Sequence, residues 1–547
     1  MNSIRTINTI YSKVPSIMGH SGDEKRWRFA TAVGSDVVPH GKVKSEVAHE
    51  ERLKTGILKF TSRRIAHDVN PANERFDDLG DDEEKEGIST NAAPALAVAD
   101  NNKQSSTPKL DGIKSLFTQN ESTPAASTSQ QEPVPIVLIS DPGQDLDDEM
   151  MFIMASHLQS LKLISIRGVV TNLHPAPARA RLTRGTLNLL GLHHVPVGIG
   201  TDGGDTSMMH SSAQFEATSR SYIIKEEDEA AMRGLGNGQL LLKQLYQAAP
   251  DIEYVDTTME EEGTNNGNRK TSKRETKGGL TIVITSSLKD ISIFVRDNPT
   301  VFASKTREVV VMGGCKPIST DNSDDDDYEC CECEPDSANN NTFDPQASDH
   351  FYSTCQQMNI TLTVVSRHTA YAAKTPRTVY DDLASTGSPI GLRLRVSQCA
   401  GIDQLWRRAN TTDPGVRKGL PARCDRRWFV DTFCGGNHIP LSRSGEDSIW
   451  DVVTGFMQYD TIALLASIPG VREVLFDPMV LPPLSSEVTI QGGNSNSGAS
   501  LHAYGIGTRN LIGISEKEHG LKEPSLLVQL LKTGYRRGLM CNNVGIH

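Results

Sequence analysis

Four carboxylates crowd into eight residues of the stretch PIVLISDPGQDLDDEM, where Asp141, Asp145, Asp147 and Asp148 follow directly on an apolar run that reads as a buried strand. Two such charges about 4 Å apart repel by roughly 4 kcal/mol at an effective dielectric near 20. The dipole of a following helix returns only about 0.3–1 kcal/mol per acid. A bound cation is the natural way to offset the rest. An all-oxygen donor set with no His or Cys beside it suits calcium or magnesium rather than zinc. The plain alternative is a solvated acidic turn that caps a helix.

The surrounding elements must bring further groups to that point. PIVLIS leads into the helical DDEMMFIMASHLQSL, then LKLISIRGVV, the helix-like PARARLTRGTLNLLG and VPVGIG. Further on, NGQLLLKQLYQAA precedes LTIVIT, LKDISIFVRDNP precedes REVVVMGG, and DPQASDHFYSTCQQM precedes ITLTVVS. Short β-branched runs alternating with helices predict an open, mostly parallel, Rossmann-like α/β sheet with helices on both faces. Ligands of such sheets sit beyond the carboxyl ends of the strands. Thr285, Asn172 and Gly313-Gly314 fall at strand ends, Asn340 and Asn341 precede a helix at Asp344, and Asp460 heads the apolar run YDTIALLASIP. Ser366 to Tyr371 leaves another strand end and presents Arg367 or His368, for which a structural histidine is the plain reading.

The bulk numbers bound the partners. The chain has 547 residues and a formal net charge of −12, which argues against nucleic acid or an anionic membrane as partner. Nine cysteines do not read as a secreted disulfide framework, and no run approaches a membrane span. A reducing, cytoplasmic setting is the expectation; Arg5, Lys13 and an acid-free first twenty residues leave an organellar presequence open. Residues 1–132 are Ala/Ser/Thr/Pro-rich with an acidic block and read as a disordered tail and linker before one domain over 133–547. Insertions are expected at about 256–279, 319–337 and 387–447. The second carries Cys330, Cys331 and Cys333, read as free thiols of an acidic loop rather than a metal site. The third, with LPARCDRRWFVDTFCGG, forms either a lid whose Trp428 stacks on a ligand or a surface subdomain with its own core. The C-terminal PSLLVQLLKTGYRRGL is an amphipathic helix that covers the sheet or contacts a second copy in a homo-oligomer.

Taken in order, DPGQDLDD, VITSSLKDI, EVVVMGG, NNTFDPQA and YDTIALLASIP resemble the motifs of the inosine-uridine-preferring nucleoside hydrolases over about Ile136 to Pro469. The resemblance implies that family's fold and a calcium-dependent hydrolase that splits a ribonucleoside into base and ribose. It implies calcium ligands at Asp141, Asp148, Asp460 and the Thr285 carbonyl, with Asp145 an alternative to Asp141 because the motif carries two extra residues. Asp147 would bind ribose hydroxyls, helped by Asn172 and by Asn340 or, in the other register, Asn341. Asp141 would also be the base that takes a proton from water. Two further departures bear on catalysis. Tyr459 stands where the family carries the histidine that protonates the leaving base, and a tyrosine near pKa 10 is a poor acid at neutral pH. Ala338 stands where the family offers a glutamate to the ribose. A silent nucleoside- or sugar-binding relative, or a metal-dependent phosphohydrolase using Asp145-Leu146-Asp147, are the alternative readings.

Overall fold

The computed structural model describes residues 132–143, 145–204, 213–260, 270–319, 331–417, 420, 422, 424–436, 442–484 and 507–540. The N-terminal region read as tail and linker lies outside them apart from Glu132, as does Cys330.

Nine strands form the main sheet: β1 (Val134–Ser140), β2 (Ile164–Thr171), β3 (Val197–Ile199), β4 (Leu235–Asn237), β5 (Leu280–Ile284), β6 (Thr306–Met312), β7 (Leu362–Val365), β8 (Met479–Leu481) and β9 (Arg509–Ile512). Their order is β8-β9-β7-β6-β5-β1-β2-β3-β4, and every pairing is parallel except β8 with β9. Strands covered on both faces read as continuous apolar runs, and β1 and β5 are buried almost throughout. The antiparallel edge strand β8 has no counterpart in the sequence reading, because three residues bordered by prolines leave no alternation to detect.

The chain winds from β1 through β2, β3 and β4 to one side, then returns to β5 beside β1 and continues to β6 and β7 on the other. The reversal opens a crevice at the carboxyl ends of β1 and β5, the place where such sheets hold ligands. One face of the sheet is covered by a core that includes α1 (Asp147–Ser160), α2 (Ala176–Leu189), α6 (Tyr459–Ala466) and α7 (Pro524–Met540). On the other face, side chains of the helices Gly238–Ala248 and Lys289–Asp297 and of α3 (Pro345–Gln357) form a second core.

The expected insertions take definite forms. Residues Glu253–Glu260 and Lys270–Lys277 make an antiparallel hairpin, and Cys315–Ser319 pairs with Cys331–Pro335 in another. Between 387 and 447 lie α4 (Pro389–Ala409) and α5 (Arg426–Phe433). Their aromatic core has Phe429 5.2 Å from both Trp406 and Phe433, centroid to centroid. No helix among the described residues is long and apolar enough to cross a membrane.

Helix α7 seats against α1 through two glycines one turn apart. A Cβ at Gly538 would strike the backbone carbonyl of Ile153, whereas one at Gly534 would strike only the side chain of Met154. A side chain can move aside and a carbonyl within a helix cannot. Gly538→Ala is therefore expected to destabilise by about 1–3 kcal/mol despite the helix propensity it gains. Gly534→Ala should come out near neutral, as about 1 kcal/mol of propensity offsets the rearranged methionine. Chemical-denaturation midpoints of the two variants against the parent check the difference.

Candidate functional site

Strand β1 ends at Ser140, so Asp141 emerges at the rim of the crevice. The chain then turns through Pro142 and Gly143 before α1 begins at Asp147. Gly143 is required by a close approach, since a Cβ there would lie 2.6 Å from Nη1 of Arg179. Arg179, on α2, is fully buried. It donates to the carbonyls of Asp141 and Pro142 and places its guanidinium 3.7 Å from Oδ2 of Asp141. The turn that presents the first aspartate is thus clamped from beneath by a cation.

A cavity of about 590 Å³, part of it open to solvent, lies above these strand ends. Asp141, Asp145, Asp147, Asp148 and Asp460 line it, with Thr285 from the end of β5, Met312 and Gly313 from the end of β6, and Asn340 and Tyr459. Among the described residues, Asp147, Asp148 and Asp460 bring carboxylate oxygens within 4.8 Å of one another, and all three are buried. Leu146 at the N-cap of α1 makes no side-chain cap, and the acids of the first turn face inward. This excludes the solvated capping turn. Asp148 is oriented through one oxygen, which accepts from Ser140 Oγ at 2.7 Å and from the Asp141 amide at 3.0 Å. Burial, followed by the charges of Asp147, Asp148, Asp141 and Asp145, pushes the Asp460 carboxyl well above its ordinary range. A polyanionic, all-oxygen pocket without His or Cys among its lining residues fits a hard divalent cation.

The sequence-predicted residues divide into three groups. Asp141, Asp145, Asp147, Asp148, Thr285, Asn340, Tyr459 and Asp460 come together around the cavity. Asp147 belongs to the close trio, and Asp141 stands outside it. Asn340 and Asn341 separate. The Asn340 amide donates to the Met312 carbonyl at 2.9 Å from the cavity wall, while buried Asn341 donates to the Gly314 carbonyl behind it. Asn172 and Trp428 are not brought to the cavity. Asn172 is buried at the end of β2, where its amide donates to the Ser287 carbonyl and to Asp290 and its carbonyl accepts from Ser286. Trp428 lies on α5 against Phe429 and Phe433, in the core of the inserted helices. Tyr459 meets Tyr371 edge-on at 6.3 Å.

Sequence reasoning missed the cations beneath the site. Glu149, next to Asp148, is fully buried and paired with Arg393 of α4. It also accepts from Thr186 at 2.8 Å and Tyr222 at 2.7 Å. Arg393 also donates to the Gly143 carbonyl at 2.5 Å, and burial lowers its pKa to about 9. The inserted helix α4 therefore holds both ends of the aspartate turn.

No protein-family model matches the chain, and no curated protein sequence does. Solved structures match. The type III effector protein XopQ, in complex with adenosine diphosphate ribose, is 23% identical at a TM-score of 0.57, covering 79% of this chain and 99% of that one. The effector protein XOO4466 is 22% identical at 0.56, covering 79% and 98%. Nucleoside hydrolases, the family whose motifs the sequence resembles, are also among the matches. The purine-preferring ribonucleoside hydrolase from Gardnerella vaginalis is 11% identical at a TM-score of 0.40, covering 74% and 99%. The likeness to the two effectors shows a shared fold, the open, mostly parallel α/β sheet described above.

The raised Asp460 pKa has a definite sign. Below about pH 4, near the ordinary carboxylate value, the group is protonated folded and unfolded and costs nothing. As pH rises toward its folded-state value, the unfolded chain loses the proton first and the cation-free protein loses stability. Asp460→Asn should remove that component of the decline, leaving the chelated variant at pH 7 as stable as the parent or more so. The parent should gain about 2.7 kcal/mol at a hundredfold excess of cation over Kd, and the variant should gain much less. Melting curves with calcium and with chelator, between pH 5 and 8, measure both effects.

Proposed function

We propose that the protein is a calcium-dependent hydrolase that cleaves the N-glycosidic bond of a ribonucleoside or a related ribosyl compound, releasing base and ribose. The observation that carries this reading is the meeting of Asp147 and Asp148 with Asp460, from the far end of the chain, in one buried cluster. Asp148, Asp460 and the Thr285 carbonyl would hold the ion, with Asp141 or Asp145 completing the set. When bound, calcium offsets the acidic charge and makes a neighbouring water easier to deprotonate.

The chain's own groups do the remaining work. Asp141 accepts the proton of the attacking water as its oxygen approaches the anomeric carbon. Asp147 and Asn340 hold pentose hydroxyls and so orient the ring. Positive charge develops on the sugar as the bond to the base breaks, and the surrounding carboxylates favour it electrostatically. Tyr459, with Tyr371 at its edge, offers the base an aromatic surface and a hydroxyl. A phenol is a poor proton donor at neutral pH compared with an imidazolium, so protonation of the leaving base is slow.

A second reading is a ribosyl-binding protein without turnover. Tyr459 and Ala338 on the cavity wall favour it, as does the ADP-ribose complex of XopQ. A nucleoside panel assayed for released sugar with the full chain separates the two. Release should depend on calcium and stop with chelator. Asp141→Asn should lower turnover by roughly 10²–10⁴-fold, and Tyr459→His should raise it by about tenfold or more. Absence of sugar from every nucleoside, with ligand binding intact, would sink the hydrolase and leave the binder.

A further inference from the structure

Arg367 is the one cation among the residues that line the acidic cavity, where five carboxylates face it. The same side chain lines a second cavity beside the first, and the two share Gly313 as well. Around this second space stand Ser366, His368, Gly314, Gly513 and one carboxylate, Asp336. Arg367 is half-buried and forms no ion pair among the described residues. Asp336 makes no ion pair with it; that carboxylate accepts from the Ala338 amide at 2.8 Å and the Asn341 side chain at 3.3 Å. The Nδ1 atom of His368 is buried without a partner among the described residues.

The backbone that carries Arg367 is fixed. Ser366 Oγ donates to the Gly513 carbonyl and accepts from the His368 amide at 3.2 Å, and Thr369 Oγ1 donates to the Ile512 carbonyl at 3.2 Å. Gly513 has φ +80°, and a Cβ there would collide with Thr369 and Ser366. A guanidinium that lines two cavities and has no ion pair of its own among the described residues is available as a fork for a ligand anion. An anion placed among the five aspartates would be repelled. In the second cavity it would meet one carboxylate, Asp336, in place of five. On the wall of the first cavity, Ala338 adds no charge.

We propose that the second cavity receives a phosphoryl group carried on the pentose, gripped by Arg367, while the sugar occupies the aspartate cavity. Ribosyl compounds carry negative charge chiefly as phosphoryl groups, so the ligand class is a nucleotide or phosphorylated pentose rather than a neutral nucleoside. This rests on the ribosyl reading of the first cavity and narrows its ligand. The site of phosphoryl contact is a planar bidentate donor, for which lysine is an incomplete substitute.

Calorimetric titration of the full chain with calcium present tests this, using adenosine, adenosine 5′-monophosphate and ADP-ribose as probes. The monophosphate, the diphosphate or both should bind at least tenfold more tightly than adenosine, and the comparison tells a monoester from a diphosphate occupant. Arg367→Gln should erase that gap with melting temperature held within error; Arg367→Lys should keep part of it. Adenosine binding as tightly as both phosphorylated probes would overturn the inference and leave the ribosyl reading standing. A gap that survives in Arg367→Gln would overturn it in the same way. No binding of any probe would end both.

Discussion

Like charges held together away from water set the terms for the rest of this molecule. Three buried carboxylates converge within 4.8 Å, and no local preference of the chain favours such a cluster. Only a framework that is rigid for other reasons can impose it. Here the framework is the pair of adjacent parallel strands β1 and β5, buried on both faces, whose ends deliver Asp141 and Thr285 to the same crevice. Helices α1 and α6 then bring the trio itself. Cations placed behind the turn complete the arrangement: Arg179 under Asp141 and Gly143, and Arg393 against Glu149. A buried pair of this kind costs about 3–5 kcal/mol when one partner is removed. It therefore fixes the turn more firmly than hydrogen bonds alone would.

Much of this was legible in the sequence, and the parts that were not share a physical reason. β-branched runs alternating with helices predicted the sheet because burial on both faces leaves a signature in every strand. The aspartates and Thr285 could be placed because strand ends are where such sheets expose functional groups. Asn172 sits at a strand end too, yet its amide is consumed by Ser287, Asp290 and Ser286. Position in a strand tells where a side chain starts and not what it meets. The same limit applies to Trp428, whose aromatic and basic neighbours suggest a lid but whose ring joins Phe433 in a core. Asn340 and Asn341 differ only in helical phase, which spacing alone could not resolve across an uncertain register.

Helical phase also explains the run Asp147-Asp148-Glu149. Successive residues of an α-helix are turned by about 100°, so three consecutive acids cannot all face one cavity. The first two meet Asp460, and the third points away, toward Arg393, Thr186 and Tyr222. One acidic cluster in the sequence is two sites in space, one whose charge is offset by the fold and one whose charge is not. The partner of the third acid comes from an inserted helix 244 positions later, and nothing in the local composition of either segment announces the pairing. Arg179 was equally hidden, since the helix-like PARARLTRG carries three arginines and nothing in its spacing marks one for burial.

The cavity is built from parts that can change separately. The aspartate wall depends on β1, β5, α1 and α6, all tied into the sheet and its core. The segment 337–340 and the turn carrying Arg367 line the remainder, and they rest on the ends of β6, β7 and β9. Ala338 and Arg367 belong to that second group. A carboxylate absent from one and a guanidinium supplied by the other both raise the potential where a ligand would extend beyond the sugar. Neither alters the geometry of the aspartates. The electrostatic character of the two regions is opposite, since clustered carboxylates favour a cation and a guanidinium favours an anion. Mounting them on different strand ends lets each region keep its own charge while the backbone beneath both stays tied to the sheet.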